Sequence, residues 1–275
     1  MRSRLFPITD DHIHFDPVNG RGVEAAKDFL HAGGTHIFLV SKPSWSLGIT
    51  PVCGTDYAQV FDETLRIAGL IRETGLVVFP VLGIHPAEIS RLTERMPLAD
   101  AAGVMKGGLE CAAGYVRDGR AVVLKSGRPH YEVSPEVLAV SNDVLSHALG
   151  LAAGYRCALQ IHAESGPCTD IVDMARVAGM TVERVVKHYG SPETPLHPSL
   201  VARHEAVPVL ARERRPFTME SDFMDENSRP GAVTGPKSVP RITKKLLESG
   251  VINEEDCWRI HGETIEKVYG VRITL

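Results

Sequence analysis

The sequence predicts an α/β fold and, within that class, a (β/α)8 TIM barrel. Eight short apolar segments alternate with segments of helical periodicity along the 275 residues, an alternation that is typical of parallel βαβ units. Eight such units fill a chain of this length as one barrel. An open doubly wound sheet would instead need a glycine-rich turn after its first strand, where this chain has His12-Ile13-His14. We therefore expect one barrel domain over residues 1–275, regular or distorted, with helices at its C-terminus.

The predicted elements carry local signals as well as periodicity. The first helix runs into Gly33-Gly34, a C-terminal stop signal, and another helix begins with Ser134 as N-cap and Pro135 as its first residue. We expect strands just before His12 and at 36–40, 76–82, 121–124, 157–161, 182–186, 206–210 and 217–220. We expect helices at 22–32, 56–74, 99–116, from 135 onward, and at 169–178, 241–249 and 254–268.

Composition limits the classes of partner. The formal net charge is -4, so the chain lacks the broad basic surface that extended duplex binding requires. No apolar run reaches the ~20 residues that cross a bilayer and no signal peptide is evident, so we expect no membrane partner. The five cysteines are odd in number, scattered and without a CxxC pair, which indicates free thiols in a reducing compartment, the cytoplasm. The oligomeric state has no signal in the sequence.

Metal-binding and ionisable residues recur at the ends of the predicted strands. His12 and His14 stand two apart at the end of the first strand, a spacing that points both side chains to the same side. In a barrel the carboxyl ends of all strands meet on one face, where barrel active sites lie. We therefore expect one converging cluster on this face, made of His12, His14, His85, Lys125, His162, His188 and Asp222.

The series resembles the TatD-like metal-dependent hydrolases of the amidohydrolase superfamily. The matching motifs are DHIHFD from Asp11, GIHP, IHAES, KHYGSP and the ESD that ends at Asp222. The resemblance implies a metal-activated hydroxide acting on phosphodiester bonds, as in a nuclease or phosphoesterase, with one or two divalent cations. Zinc is the first candidate, with manganese, nickel, cobalt and magnesium as others.

The resemblance also implies roles for individual residues. His12, His14 and Asp222 would hold one metal, and His162 and His188 the other. Asp222 would also accept the proton as hydroxide attacks. His85 occupies the position that contacts a substrate phosphate. The loop after the fourth strand adds Arg128, His130 and Tyr131 as candidate substrate-binding residues, and Glu164 and Ser165 are candidates to support His162.

Lys125 departs from the family pattern, which has a bridging glutamate at this position. Some amidohydrolases that resemble phosphotriesterases use a lysine there after CO2 has converted it to a carbamate, and a carbamate would bridge two cations. Burial favours this reaction because it lowers the pKa of a lysine. The alternative is that Lys125 stays a charged ammonium and keeps one metal position empty.

Three functions stay open from the sequence. The first is a phosphodiester hydrolase acting on a small molecule or a nucleic-acid end. The second is an amidohydrolase, lactonase or phosphotriesterase with a carbamylated Lys125. The third is a non-catalytic metal-binding barrel, which the retention of Asp222 beside the histidines disfavours.

Overall fold

A parallel barrel forms the centre of the chain in the computed structural model, which describes residues 6–228 and 233–275. The strands follow one another in space in the order in which they occur in the sequence, as expected for successive βαβ units. They are β1 (Thr9–His14), β2 (His36–Val40), β3 (Val77–Gly83), β4 (Val123–Gly127), β5 (Ala158–His162), β6 (Val185–Lys187), β7 (His197–Val201), β8 (Thr218–Glu220) and β9 (Phe223–Met224). The prediction of a (β/α)8 barrel is confirmed.

The eighth position of the barrel is a broken strand. β8 pairs with β7 and β9 pairs with β1, so the two short strands together close the ring. At the break, Asp222 has a φ of 45° and its amide donates to the carbonyl of His12 at 3.0 Å. The amide of Ser221 donates to the carboxylate of Asp10 at 3.1 Å. The break therefore joins the first and last strands and turns the backbone at Asp222.

Helices cover the outside of the barrel, and most predicted helices are confirmed. Ser134 accepts a hydrogen bond from the amide of Val137, as expected of an N-cap. The short helix α3 was not predicted. The helices are α1 (Val23–Ala32), α2 (Ala58–Arg72), α3 (Glu88–Thr93), α4 (Leu98–Arg117), α5 (Pro135–Tyr155), α6 (Thr169–Val177), α7 (Val207–Arg212), α8 (Ser238–Glu248), α9 (Glu254–Trp258) and α10 (Thr264–Tyr269).

The prediction of a seventh strand at 206–210 is wrong, because these residues lie in α7 and the loop before it. The seventh strand is β7, which contains Pro198 and pairs with β6 and β8. Proline lacks an amide donor and is rare inside sheets, so its presence argued against a strand here. The apolar residues at 206–210 instead cover one face of a helix, and Val207 and Leu210 are buried.

Alternate residues of the strands face opposite sides of the barrel wall. Ile37 and Leu39 pack outward with residues of α1 and α2. Phe38 and Val40 belong instead to a second cluster, which contains interior residues of other strands and of α10. We call this second cluster the lower core; its buried members are Phe38, Val40, Val81, Val123, Ala158, Val186, Ile265, Val268, Tyr269 and Ile273. Val123 and Ala158 begin their strands, so α10 lies against the amino end of the barrel.

Two glycines let neighbouring strands approach each other near the carboxyl end. A Cβ atom at Gly83 would lie 1.8 Å from the carbonyl oxygen of Lys125. A Cβ atom at Gly127 would lie 1.9 Å from the carbonyl oxygen of His162. Both distances are far below van der Waals contact, so the positions of Lys125 and His162 depend on the missing side chains.

Helix α5 is long and apolar enough that length and composition alone would allow it to cross a membrane. It packs instead beside α4 and α6 and against β4 and β5, where it is one of the helices around the barrel. Its apolar residues Val144, Leu145, Ala148 and Leu149 are buried in the core there.

Candidate metal centre

β1 places two histidines and an aspartate inside the barrel. Its pairing with β2 shifts by one residue between Asp10 and Ile13, a bulge that falls at Asp11 and His12. Both of their side chains reach other strands, since His12 contacts Gln160 of β5 and Asp11 contacts Ser199 of β7. His14 is also buried. The bulge therefore allows the side chains of two consecutive residues, Asp11 and His12, to face the barrel interior.

The tightest group of potential metal ligands is His12, His188 and Asp222. One ligand atom of each lies within 4.8 Å of the others, and no other such group occurs within residues 6–228 and 233–275. His12 Nε2 is 3.9 Å from Asp222 Oδ1, and the rings of His12 and His188 stack with centroids 3.7 Å apart. The ring centroid of His14 lies 5.1 Å from that of His12. His188, which the sequence placed at a second metal, thus joins His12 and Asp222.

The hydrogen bonds at Nδ1 determine which nitrogen of each ring carries the hydrogen. His14 Nδ1 is 2.9 Å from the carbonyl oxygen of Val40, and a carbonyl can only accept, so this nitrogen carries the hydrogen. His188 Nδ1 bonds both oxygens of Glu220, at 3.0 and 3.2 Å. His12 Nδ1 bonds Gln160 Oε1 at 2.9 Å. All three rings therefore keep a lone pair on Nε2, the arrangement that metal-binding histidines use.

Burial also keeps these histidines neutral, which is the form that binds a cation. It lowers the pKa of His12, His14 and His162 well below the usual range, and it lowers the pKa of His188 to about 3. Burial raises the pKa of Asp222 to about 6, because the carboxylate loses its hydration. A bound cation would favour the ionised carboxylate. The donor set of neutral imidazoles and one carboxylate therefore fits a divalent transition metal.

Lys125 lies within β4, directly beside this group. Its side chain is buried, and Nζ donates to His12 Nε2 at 3.2 Å. Burial lowers the pKa of the Lys125 amine to about 8, although the negative charges of Asp222 and Glu220 raise it in part. A minor but larger than usual fraction of the amine is therefore neutral at neutral pH, and only the neutral amine reacts with CO2.

His162 ends β5 and stands at the centre of a second set of rings. Its Nε2 atom is hydrogen bonded to His130 Nδ1 at 2.8 Å. The ring centroid of His85 lies 4.7 Å from that of His162, and the Trp45 ring meets His85 edge-on with centroids 5.9 Å apart. Tyr131 is partly exposed and its hydroxyl bonds Ser90 at 2.7 Å. The rings of His85 and His130 therefore flank His162 on the barrel face that carries the ligand group.

A model of the family described as "TatD related DNase" matches residues 9–270. The chain belongs to the TatD family. It is 35% identical over 285 aligned positions to an uncharacterized protein from Methanocaldococcus jannaschii, with 99% of each chain covered.

Two solved structures from Escherichia coli show the same fold. A TatD homologue aligns with a TM-score of 0.66 and 16% identity over 97% of this chain and 99% of that chain. A phosphotriesterase homology protein, complexed with phosphate in its active site, aligns with a TM-score of 0.61 and 14% identity over 95% and 97%. The family and the fold together support a metal-dependent hydrolase.

The guanidinium of Arg128 is engaged in internal hydrogen bonds, which does not suit the substrate-binding role expected of it. Its guanidinium donates to Glu164 through Nε at 2.8 Å and through a second nitrogen. It also donates twice to Asp170, at 2.5 and 3.0 Å, and once to Asn142 at 3.2 Å. These five bonds use all five N–H groups of the side chain. The geometry therefore favours a role in holding the loop after β5, and Glu164 is one of the two carboxylates that it holds.

Sequence reasoning missed the residues that hold the ligands in place. Glu220 stood in the matched ESD motif and Asp11 in DHIHFD, but neither received a role. Gln160 could have been found, because it is two residues before His162 and so shares its side of β5. Ser199 and Tyr269 carried no signal, since their partners are distant in sequence.

The two buried carboxyl groups among these residues share a proton. Ser199 Oγ lies 2.6 Å from Asp11 Oδ1 and 2.6 Å from Glu220 Oε2. A hydroxyl has one hydrogen, so one carboxyl group must be protonated to complete the second bond. Burial raises the pKa of Asp11 to about 7 and that of Glu220 to about 8, which agrees with this count. One negative charge is therefore absent from the interior at neutral pH.

Proposed function

We propose that this TatD-family protein is a metal-dependent hydrolase that cleaves phosphodiester bonds in a small molecule or at a nucleic-acid end. The observation that supports it best is the group formed by His12, His188 and Asp222 at the carboxyl end of the barrel. Both imidazoles keep a lone pair on Nε2, and the ring of His14 lies beside that of His12. Structural metal sites do not need a carboxylate with spare basicity, whereas hydrolysis needs a proton acceptor.

The ligand set that we propose is His12, His14, His188 and Asp222 for a first cation, with His162 and Lys125 completing a second position. Zinc is the first candidate, and manganese, nickel, cobalt and magnesium also suit histidine and carboxylate donors. A bound divalent cation acidifies water and polarises a phosphoryl oxygen. His162 would have to release His130 to contribute its Nε2 atom.

The chain's own residues would then move the proton and hold the substrate. Asp222 would accept the proton of the attacking water, because it is the carboxylate of the proposed ligand group. His85 and His130, beside His162, would contact the phosphate, and Tyr131 would line the entrance. Arg128 would act on the substrate only by holding its loop in place.

Lys125 favours a second candidate, an amidohydrolase, lactonase or phosphotriesterase. In this case the neutral Nζ lone pair would attack CO2, an N–C bond would form as one C=O π pair moves to oxygen, and one N–H proton would pass to water. The resulting carbamate would share one negative charge over two oxygens beside His12 and could hold cations there. The pKa of about 8 and the burial of Lys125 support this reaction.

Metal analysis combined with a substrate panel tests the proposal. Purified protein should contain one to two transition-metal ions per chain and should hydrolyse a generic phosphodiester or single-stranded DNA. Hydrolysis of a lactone or phosphotriester alone would support the second candidate. Metal without any hydrolysis would support a non-catalytic barrel, and protein that binds no metal would contradict all three.

Two substitutions of Lys125 test the bridge. Lys125→Glu should retain two metals and part of the activity, because it supplies one anionic bridge in place of another. Lys125→Ala should lose the second metal, with partial rescue by a short carboxylic acid. The control is Lys106→Ala, which removes a lysine paired with Asp143 at the surface. Full metal content and rate in Lys125→Ala would contradict the bridging role.

Two further expectations remain predictions. All five cysteines lie in the described part of the chain and are free thiols, as a reducing cytoplasm would allow. The substrate is expected to be a small molecule or a nucleic-acid end, without a membrane partner.

A further inference from the structure

Helix α10 contacts the residues around the candidate metal centre from the amino end of the barrel. Tyr269 ends α10, and its ring packs on Phe38 in the lower core with centroids 4.2 Å apart. The side chain is buried, yet its hydroxyl contacts polar partners where the lower core borders the candidate metal centre. A tyrosine hydroxyl can donate one hydrogen bond and accept another, and here it does both.

The first connection runs from Tyr269 to His12. The hydroxyl donates to Asp11 Oδ2 at 2.7 Å, so its oxygen accepts from Gln160 Nε2 at 3.0 Å. The same Nε2 group donates its other hydrogen to the carbonyl of Asp11 at 2.6 Å. Both hydrogens of the amide are then used, and the amide oxygen of Gln160 must point to His12 Nδ1, 2.9 Å away. Tyr269 and the carbonyl of Asp11 together fix which end of the Gln160 amide faces His12.

The second connection runs from Tyr269 to His188. Asp11 uses one carboxyl oxygen for Tyr269 and the other for Ser199, at 2.6 Å. Ser199 in turn contacts Glu220, which accepts from His188 Nδ1 at 3.0 Å. One hydroxyl at the end of the chain is thus joined, through two branches, to two of the three members of the tightest ligand group.

We infer that Tyr269 is a positioning residue of the proposed metal centre, because its hydroxyl fixes the rings of His12 and His188 through Gln160 and Asp11. The inference rests on the metal binding in the proposed function. An imidazole ligand that loses the partner of its second nitrogen can rotate and change tautomer. Removal of such supporting contacts typically costs ~10- to 100-fold in metal affinity.

The experiment compares Tyr269→Phe with wild type and with a matched control. The control is Tyr57→Phe, because Tyr57 is equally buried but lies in the separate core cluster beside α4. Zn²⁺ affinity is measured by competition with a chromophoric chelator, and the ligand geometry is followed by the absorption spectrum of bound Co²⁺. Tyr269→Phe should bind Zn²⁺ ~10- to 100-fold more weakly and shift the Co²⁺ spectrum, whereas Tyr57→Phe should match wild type in both.

A second pair of variants covers the case in which Tyr269→Phe fails to fold. Gln160→Leu breaks only the branch to His12, and Ser199→Ala breaks only the branch to His188. Each should weaken Zn²⁺ binding and alter the Co²⁺ spectrum. Wild-type affinity and an unchanged spectrum in the folded variants would overturn the inference.

Failure of the inference can be separated from failure of the proposed function. Tight metal binding by wild type without hydrolysis of any substrate in the panel would count against the proposed activity alone. Tight binding by wild type that Tyr269→Phe does not change would count against the positioning role alone. Wild-type protein that binds neither Zn²⁺ nor Co²⁺ would overturn both.

Discussion

Burial has opposite consequences in the two halves of the barrel interior. In the lower core, side chains such as Val81 and Ile265 are removed from water and only stabilise the fold. In the half that contains the candidate metal centre, groups such as His12, Lys125 and Asp222 are buried almost as completely. Burial there shifts their pKa values in the direction that favours the neutral form of each group. The same strands carry both halves. The apolar contacts of the lower core therefore offset the free-energy cost of burying the polar groups around the candidate metal centre.

Removal of two ligands should have the largest effect. His12→Ala combined with His14→Ala should abolish most metal binding, because the two imidazoles from β1 are lost together. The barrel should stay folded, since the lower core is untouched, and far-UV circular dichroism should be unchanged. Metal content is measured by elemental analysis. Unchanged metal content in this double variant would contradict the site assignment.

Asp222→Asn should separate metal binding from turnover. The amide oxygen can still bind a cation but cannot accept a proton, and loss of a general base typically costs ~100- to 10,000-fold in rate. The surface substitution Asp143→Asn is the control, because that carboxylate pairs with Lys106 at the surface. The rate on the substrate found in the panel and the metal content are measured together. Near-normal turnover in Asp222→Asn would show that another group accepts the proton.

Val81→Ala should show the reverse behaviour in the lower core. Val81 is fully buried, so removal of two methyl groups should lower the free energy of unfolding by about 2 kcal/mol. Metal affinity should stay at the wild-type value. Chemical denaturation and chelator competition provide the two measurements. A large loss of metal affinity would show that packing in the lower core also controls the positions of the metal ligands.

His261→Gln should have the smallest effect on the metal centre, and it concerns the pH dependence of stability. Burial lowers the pKa of His261 to about 4, below the value of ~6.5 in an unfolded chain. The unfolded state therefore binds a proton that the folded state does not, so this stability is present above pH ~6.5 and is lost as pH falls toward 4.

The measurement for this prediction is the free energy of unfolding of metal-free protein between pH 7 and pH 4.5. The wild-type curve should be steeper than that of His261→Gln by up to about 1.4 kcal/mol per pH unit. His31→Gln is the control, because His31 is exposed on α1. Parallel curves for wild type and His261→Gln would contradict the prediction.

Sequence patterns predicted the fold because each strand and helix carries its own periodicity. They also placed His12, His14, His188 and Asp222 on one face, because residues that end parallel strands must meet there. The seventh strand was missed because Pro198 interrupts its pattern.

The contacts that orient the ligands could not be predicted in the same way. Tyr269 and Asp11 are 258 positions apart, and only the packing of α10 under the barrel brings them together. Arg128 was predicted to bind substrate from its place in the loop after the fourth strand. Its five internal bonds depend on carboxylates of a later loop, whose distance no local pattern reveals.

Gly83 and Gly127 should be left unchanged when the substrate specificity of this protein is altered by directed evolution. A library that randomises either position would consist almost entirely of clones with displaced strands, because even a methyl group would meet a backbone oxygen. Trp45, Tyr131 and Tyr189 lie on loops after β2, β4 and β6 and are partly exposed, at 36%, 39% and 51%. Diversity placed at these three aromatic positions would vary the entrance and leave the strands in register.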